Sequence, residues 1–393
     1  MAVNPNWNGT YLIELPHKFS TPKVTERESS PTKMNANLRK LHDTGQGVWL
    51  DLITRELLTS GRLASYISAF SVTGLTSNPT LFEHAIASGE AYDDAIHECA
   101  ALGLSAEEIF FELALQDLTQ AADHLRPIFD ASDSADGWVS LEVSPLLAND
   151  SINTIKAAAR LHAQAARPNL FIKIPGTPEG IAAIEQSIFD GIPVNVTLLF
   201  SRDQYVAAAE AYLRGIEQRL AAGLDPRVHS VASLFVSRWD VAVRDDVSPQ
   251  FQNRLGIAMA MRTYAAYREL LASPRWQRLA AAGARPKRLL WASTGVKDKT
   301  VADTLYVEAL TAPDTINTIP EKTLLEFADH GEVGEALPAD GGFSEAVLEE
   351  FRREGIDVDE RAAKLQREGV AAFVTSWSAL LARIAEKRAH RAR

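Results

Sequence analysis

The stretch "NLFIKIPGT", residues 169–177, sets a lysine inside an apolar, β-branched run that stops at Pro175, Gly176 and Thr177. A short apolar run closed by turn residues reads as a buried strand. Side chains on a strand alternate, so Leu170, Ile172 and Ile174 share one face while Phe171 and Lys173 share the other. Lysine is among the residues least often fully buried. The surrounding sequence has to supply a reason for Lys173.

Seven further runs of the same kind lie on either side: "GVWLD" (47–51), "VTGLTSN" (72–78), "WVSLEV" (138–143), "PVNVTLLF" (193–200), "SVASLFVSR" (230–238), "RLLWAS" (288–293) and "TINTI" (315–319). Amphipathic stretches of helix length separate them. Helix signals are explicit: Ser105 with Glu108 and Ser201 with Gln204 form capping boxes, Thr177 precedes Pro178, and Gly191 and Gly223 stand at C-terminal stops. Eight strands alternating with helices predict a parallel sheet closed into a (β/α)8 TIM barrel. The rival, an open doubly wound sheet, lacks its Gly-x-Gly-x-x-Gly turn after any strand. Residues 79–136 and 246–273 exceed one helix each and read as insertions. After Ile319 two or three more helices are expected, the last carrying Phe373, Trp377, Leu380, Leu381 and Ile384 at helical spacing for packing on the barrel or on a second subunit.

Residues 1–33 are polar and aperiodic, and read as a disordered extension or tag. The folded unit is expected from Met34 to residue 393, as a single barrel with C-terminal helices. With 40 basic against 51 acidic residues the net charge is −11, which disfavours nucleic acid and anionic membranes as partners. No apolar run approaches the ~18 residues of a membrane span, and no signal-peptide layout opens the chain. The single cysteine, Cys99, fits a reducing cytoplasm and a small buried hydrophobe. No metal and no cofactor is expected.

Reactive side chains of a barrel gather where its strands end. Those ends bear Asp51, Thr76, Asn78, Glu142, Lys173, Asn195, Thr197, Ser233, Arg238 and Ser293, with Lys297 just beyond. Burial disfavours an ammonium relative to the neutral amine, and a neutral amine attacks carbonyls to form a Schiff base. Lys173 is therefore either that nucleophile or a structural lysine paired with a barrel carboxylate. Glu142 ends the preceding strand and Asp51 the first; two carboxylates in different surroundings can divide acid and base work. Each also has a plainer use, Asp51 as a cap for the helix near Thr54 and Glu142 as counter-ion of Lys173. Asn78 before Pro79 is an ordinary helix start as well as a site candidate. Asn195 and Thr197 both point inward and suit sugar hydroxyls. Ser233, Arg238, Ser293 and Lys297 cluster at the last strands, where barrels commonly hold phosphate; for Lys297 a solvated surface residue is the slightly favoured alternative.

Taken in order, "LHDTGQGVWLD", "VTGLTSNPTLFEHAI", "VSLEVSP", "NLFIKIPGTPEGI", "NVTLLFS", "SLFVSRWD", "LLWASTG" and "DTINTIP" resemble the characteristic segments of the transaldolase family over residues 40–385. The resemblance implies a barrel that moves a dihydroxyacetone unit from sedoheptulose 7-phosphate to glyceraldehyde 3-phosphate, giving erythrose 4-phosphate and fructose 6-phosphate in the pentose phosphate pathway. It implies Lys173 as the Schiff-base lysine, Glu142 as an acid acting through a water, and Asp51 as the proton acceptor. Asn78, Asn195 and Thr197 become substrate-binding residues, and Ser233 and Arg238 phosphate-binding ones. A second phosphate-binding arginine of some members is replaced here by Gly295, with Lys297 as substitute. Monomer and homodimer both remain open.

Two other functions compete. A Schiff-base aldolase releasing free dihydroxyacetone is one; such relatives tend to differ at the positions of Glu142 and Phe235, with tyrosine at the latter. A barrel that has lost catalysis and serves as a scaffold is the other, and Lys173, Glu142 and Asp51 together argue against it.

Overall fold

Every apolar run identified in the sequence forms a strand. In the computed structural model, which describes residues 34–390, these are β1 (Gly47–Asp51), β2 (Val72–Thr76), β3 (Trp138–Glu142), β4 (Leu170–Pro175), β5 (Val194–Leu199), β6 (Ser230–Phe235), β7 (Lys287–Ala292) and β8 (Thr315–Ile319). Neighbours in sequence pair in parallel, and β8 pairs with β1 to close the barrel. The expected extension or tag at 1–33 lies outside the described residues.

Alternation along the strands sorts the side chains into two cores. Leu170, Ile172 and Ile174 join the layer between sheet and helices, whereas Phe171 joins the barrel interior with Trp49 and Trp138. The Trp138 and Phe171 rings stack with centroids 4.0 Å apart, and Trp49 lies 6.2 Å from Phe171. These three aromatics floor the barrel below Lys173. Trp49 Nε1 donates to Asp136 at 2.6 Å and Thr73 donates to the same carboxylate at 2.7 Å, fixing the indole. Gly74 makes the space: a Cβ there would lie 2.5 Å from the Trp49 ring.

Helix boundaries follow the local signals. Both capping boxes are present, at Ser105/Glu108 and Ser201/Gln204. Thr177 caps the helix Pro178–Phe189 with Pro178 in its first turn, and Gly191 and Gly223 adopt left-handed φ of 83° and 71° just past their helices. The stretch 79–136 holds three helices, Pro79–Ala87, Asp93–Ala101 and Ala106–Ala131. Cys99 is buried on the second. Beyond β8 come Glu321–His330, Ser344–Arg353 and the C-terminal helix Val358–His390. The last buries Phe373, Trp377, Leu380 and Ile384, with Leu381 partly buried, because this face packs on the protein's own barrel and insertion helices.

Two strand ends differ from the sequence reading by more than one residue. β2 stops at Thr76 because Asn78 caps the helix that Pro79 opens. β6 stops at Phe235, and Ser237 and Arg238 begin the short helix Ser237–Val243, so Arg238 projects from a helical first turn and not from a strand. Within β5, Leu198 takes a left-handed φ of 58° and the pairing with β6 shifts between Val196 and Leu199. That bulge turns Leu198 and Phe200 inward and Leu199 outward.

Gly74→Ala overpacks the floor against Trp49 and is expected to lower unfolding stability by about 1–3 kcal/mol, read from urea denaturation. Adding Trp49→Phe to the same chain recovers part of the loss if the clash is the cause.

Candidate active site

Strand register places the central residues side by side. Glu142 on β3 pairs with Lys173 on β4, and Lys173 with Asn195 on β5. All three side chains are buried in the interior. Lys173 Nζ lies 3.2 Å from Glu142 Oε2 and donates to the Ser77 carbonyl at 3.1 Å. Apart from this ion contact, neither Glu142 oxygen has a hydrogen-bond partner among the described residues. Burial pushes the Glu142 carboxyl above its ordinary value, partly offset by the attraction of Lys173. A carboxyl raised in this way holds a proton more readily than an ordinary glutamate, which suits acid work.

Asp51 ends β1 across the mouth. Thr76 Oγ1 donates to its Oδ1 at 2.8 Å and lies 2.6 Å from Thr318 Oγ1. Burial raises this carboxyl as well, opposed by the charge of Lys173, by the Thr76 hydrogen bond and by the charge of Lys297. Thr54, not Asp51, caps the following helix, accepting from Leu57 N at 3.0 Å. Asp51 is thus free of that structural duty. Asn78 does perform its own: it is half-buried and accepts from Leu81 N at 3.1 Å.

Asn195 and Ser233 are brought together. Ser233 Oγ donates to Asn195 Oδ1 at 2.7 Å, and Asn195 Nδ2 donates to Ser140 Oγ at 3.0 Å. Thr197 is fully buried, and its hydroxyl has no hydrogen-bond partner among the described residues. Arg238 is half-buried. Burial pushes its guanidinium below the ordinary value, with Glu142 opposing. Ser293, at φ 57°, lies 2.9 Å (Oγ to Oγ) from Ser237 at the base of the Arg238 turn. Lys297 is exposed at the rim. A convergent set results: a buried amine, two raised carboxyls, hydroxyl and amide donors, and cations towards β6 and β7.

Several contributors escaped the sequence reading. The Ser77 carbonyl and Ser140 carry no residue-type signal for this role. Thr318 was missed as well, although strand alternation from the inward Ile316 is a signal that could have found it. Phe373 of the C-terminal helix lies 6.0 Å from Lys173 Nζ, ring centroid to nitrogen, and no local pattern could reveal that a helix two hundred residues later covers the mouth.

Residues 48–384 match the family model described as "Transaldolase/Fructose-6-phosphate aldolase". The chain belongs to this family. It is 45% identical over 363 residues to a transaldolase of Thermobifida fusca, covering 90% of this chain and 99% of that one. A transaldolase of Saccharopolyspora erythraea is 44% identical over 360 residues, covering 90% and 98%, and transaldolase 1 of Streptomyces avermitilis is 43% identical over 358 residues, covering 89% and 95%. In this chain the barrel closed by eight strands is the frame that holds Lys173, Glu142 and Asp51.

The raised carboxyl of Asp51 has a consequence for stability. Its folded pKa exceeds the unfolded one, so the native state binds more protons between the two values and wild-type stability falls as pH rises through that window. Asp51→Asn removes the desolvated charge. The variant is expected to be more stable than wild type at pH 7, by about 1 kcal/mol, with the difference shrinking as pH falls through the folded pKa towards 4. Thermal melts of both proteins across pH 4–7 measure it; a difference that grows towards low pH contradicts the assignment.

Proposed function

We propose that the chain is a transaldolase that carries a dihydroxyacetone unit between phosphorylated sugars on Lys173. The observation that carries this reading is the buried Lys173 amine held 3.2 Å from Glu142, with Asp51 at the end of β1 across the same interior. The names and near full-length coverage of the curated relatives support it.

In this reading Lys173 passes a proton to Glu142, 3.2 Å away, its amine adds to the ketose C2 carbonyl, and the carbinolamine loses water to give the iminium. Glu142 supplies the proton for that departure through a water. Asp51 takes the proton from the C4 hydroxyl as the C3–C4 bond breaks, and the electron pair passes into the iminium, leaving an enamine. The aldehyde product departs. An acceptor aldehyde then receives the enamine carbon, Asp51 returns the proton to the new alkoxide, and water hydrolyses the iminium to free Lys173. Thr76, Asn78, Asn195 and Thr197 orient sugar hydroxyls. Ser233, Arg238, Ser293 and Lys297 hold the phosphate.

Phe235 supports transfer over release to water, since a phenyl ring offers no hydroxyl to hold a water where the enamine waits. The compartment proposed is the cytoplasm, where a free thiol such as Cys99 stays reduced. Among the described residues no helix is long and apolar enough to cross a membrane.

Fructose 6-phosphate consumption with and without erythrose 4-phosphate separates the functions. Transfer gives turnover only with the acceptor; equal turnover without it indicates the aldolase, and none in either case the scaffold. Borohydride added with fructose 6-phosphate is expected to tag the Lys173 peptide alone. Lys173→Arg, permanently cationic, folds and is inactive, and Glu142→Gln lowers kcat by about 10²–10⁴-fold, the usual span for a general acid or base.

A further inference from the structure

We propose that Phe373 of the C-terminal helix is a positioning residue that, with Phe235, brackets the Arg238 guanidinium and so sets the enzyme's preference for phosphorylated over unphosphorylated sugars. The inference rests on the reading of Arg238 as a phosphate holder. Arg238 Cζ lies 4.9 Å from the Phe235 ring centroid and 5.8 Å from that of Phe373. Both rings are buried, at 7% and 5% exposure. Among the described residues the guanidinium has no hydrogen bond or ion pair to a side chain or carbonyl; the two ring faces flank it, and Glu142 acts on it only through its longer-range field.

An arginine held by ring faces keeps its N–H edge free. That edge is the part that binds phosphate with two parallel hydrogen bonds. An arginine held by a carboxylate would instead have its charge neutralised and its edge occupied. Ring contacts therefore fix the guanidinium plane while leaving its donors for the ligand.

The helix is shaped to bring Phe373 there. Gln366, Gly369 and Phe373 lie at i, i+3 and i+7, on one helical face. Gln366 Nε2 donates to the carbonyls of Gly176 at 2.9 Å and Leu198 at 3.0 Å, tying the helix to the ends of β4 and β5. At Gly369 a Cβ would stand 2.9 Å from Leu198 Cδ2 and 3.3 Å from Arg238 Nη1. The absent side chain lets the helix backbone descend onto Arg238, and the next turn then sets the Phe373 ring against it.

The test compares kcat/KM for glyceraldehyde 3-phosphate and for glyceraldehyde as acceptors, with one donor throughout. Phe373→Leu is expected to lower the ratio of the two values by about five- to tenfold, chiefly through KM for the phosphorylated acceptor, and Phe373→Tyr, which keeps a ring face, to restore it. Arg238→Gln is expected to lower the ratio further. A helix that merely loosens slows both acceptors alike, so an unchanged ratio in Phe373→Leu alongside a reduced one in Arg238→Gln overturns the role of Phe373. An unchanged ratio in Arg238→Gln overturns the phosphate reading of Arg238 and the inference with it. Should the leucine variant not fold, Phe373→Met removes the ring with similar volume and is read by the same ratio.

Discussion

The contact between Lys173 and Glu142 is the constraint around which the barrel is arranged. Taking an ammonium and a carboxylate out of water costs several kcal/mol per ion, and their attraction repays this only when geometry and further hydrogen bonds cooperate. Parallel pairing of β3 with β4 supplies the geometry, because paired inward residues on adjacent strands are neighbours without any side-chain rearrangement. The Ser77 carbonyl supplies a second acceptor for Lys173. Beyond the Lys173 contact, the Glu142 oxygens have no partner among the described residues. A structural ion pair would be expected to close such open valences, so the incompletely satisfied carboxyl fits a site that must exchange protons with a passing substrate.

A dry floor is what makes that arrangement specific. Trp49, Trp138 and Phe171 fill the lower barrel, so the polar layer of Asp51, Glu142, Lys173 and Asn195 rests on aromatic rings and meets water only from the mouth. Field strengths rise where water is excluded, which is why both carboxyls are raised by burial and why each is tempered by the Lys173 charge. Hydrogen bonds hold the layer laterally. Thr76 joins Asp51 to β8 through Thr318, and Asn195 joins β3 to β6 through Ser140 and Ser233. Rigid strands, more than loops, therefore carry the chemistry.

Much of this was legible in the sequence, for a physical reason. Strand alternation is a local property, so the inward placement of Phe171 and Lys173 and the eightfold count could be read from short runs. Helix caps are local too, and Ser105, Ser201 and Thr177 behave as their spacing implies. What failed was whatever depends on distant packing. The bulge at Leu198 leaves no residue-type mark, since leucine is an improbable left-handed residue. Arg238 looked like a strand end because Val236 and Phe235 continue an apolar run, yet the chain turns into a helix at Ser237. Coverage of the mouth by Phe373 and Gln366 depends on a helix whose own periodicity reports only that one face is apolar.

That last failure and the bulge belong together. A leucine at φ 58° is strained, and such conformations persist where the surroundings over-determine them. Here Gln366, 168 positions later in the chain, donates to the Leu198 carbonyl, while the missing Cβ of Gly369 accommodates the Leu198 side chain. The bulge lies directly after Thr197, whose hydroxyl is buried in the same interior with no partner among the described residues. A regular β5 would continue its alternation past Thr197 and send Leu198 outward; the bulge instead turns Leu198 in and presents it to the C-terminal helix. Strand irregularity and helix docking thus stabilise one another, and the wall above Lys173 exists only when both are formed.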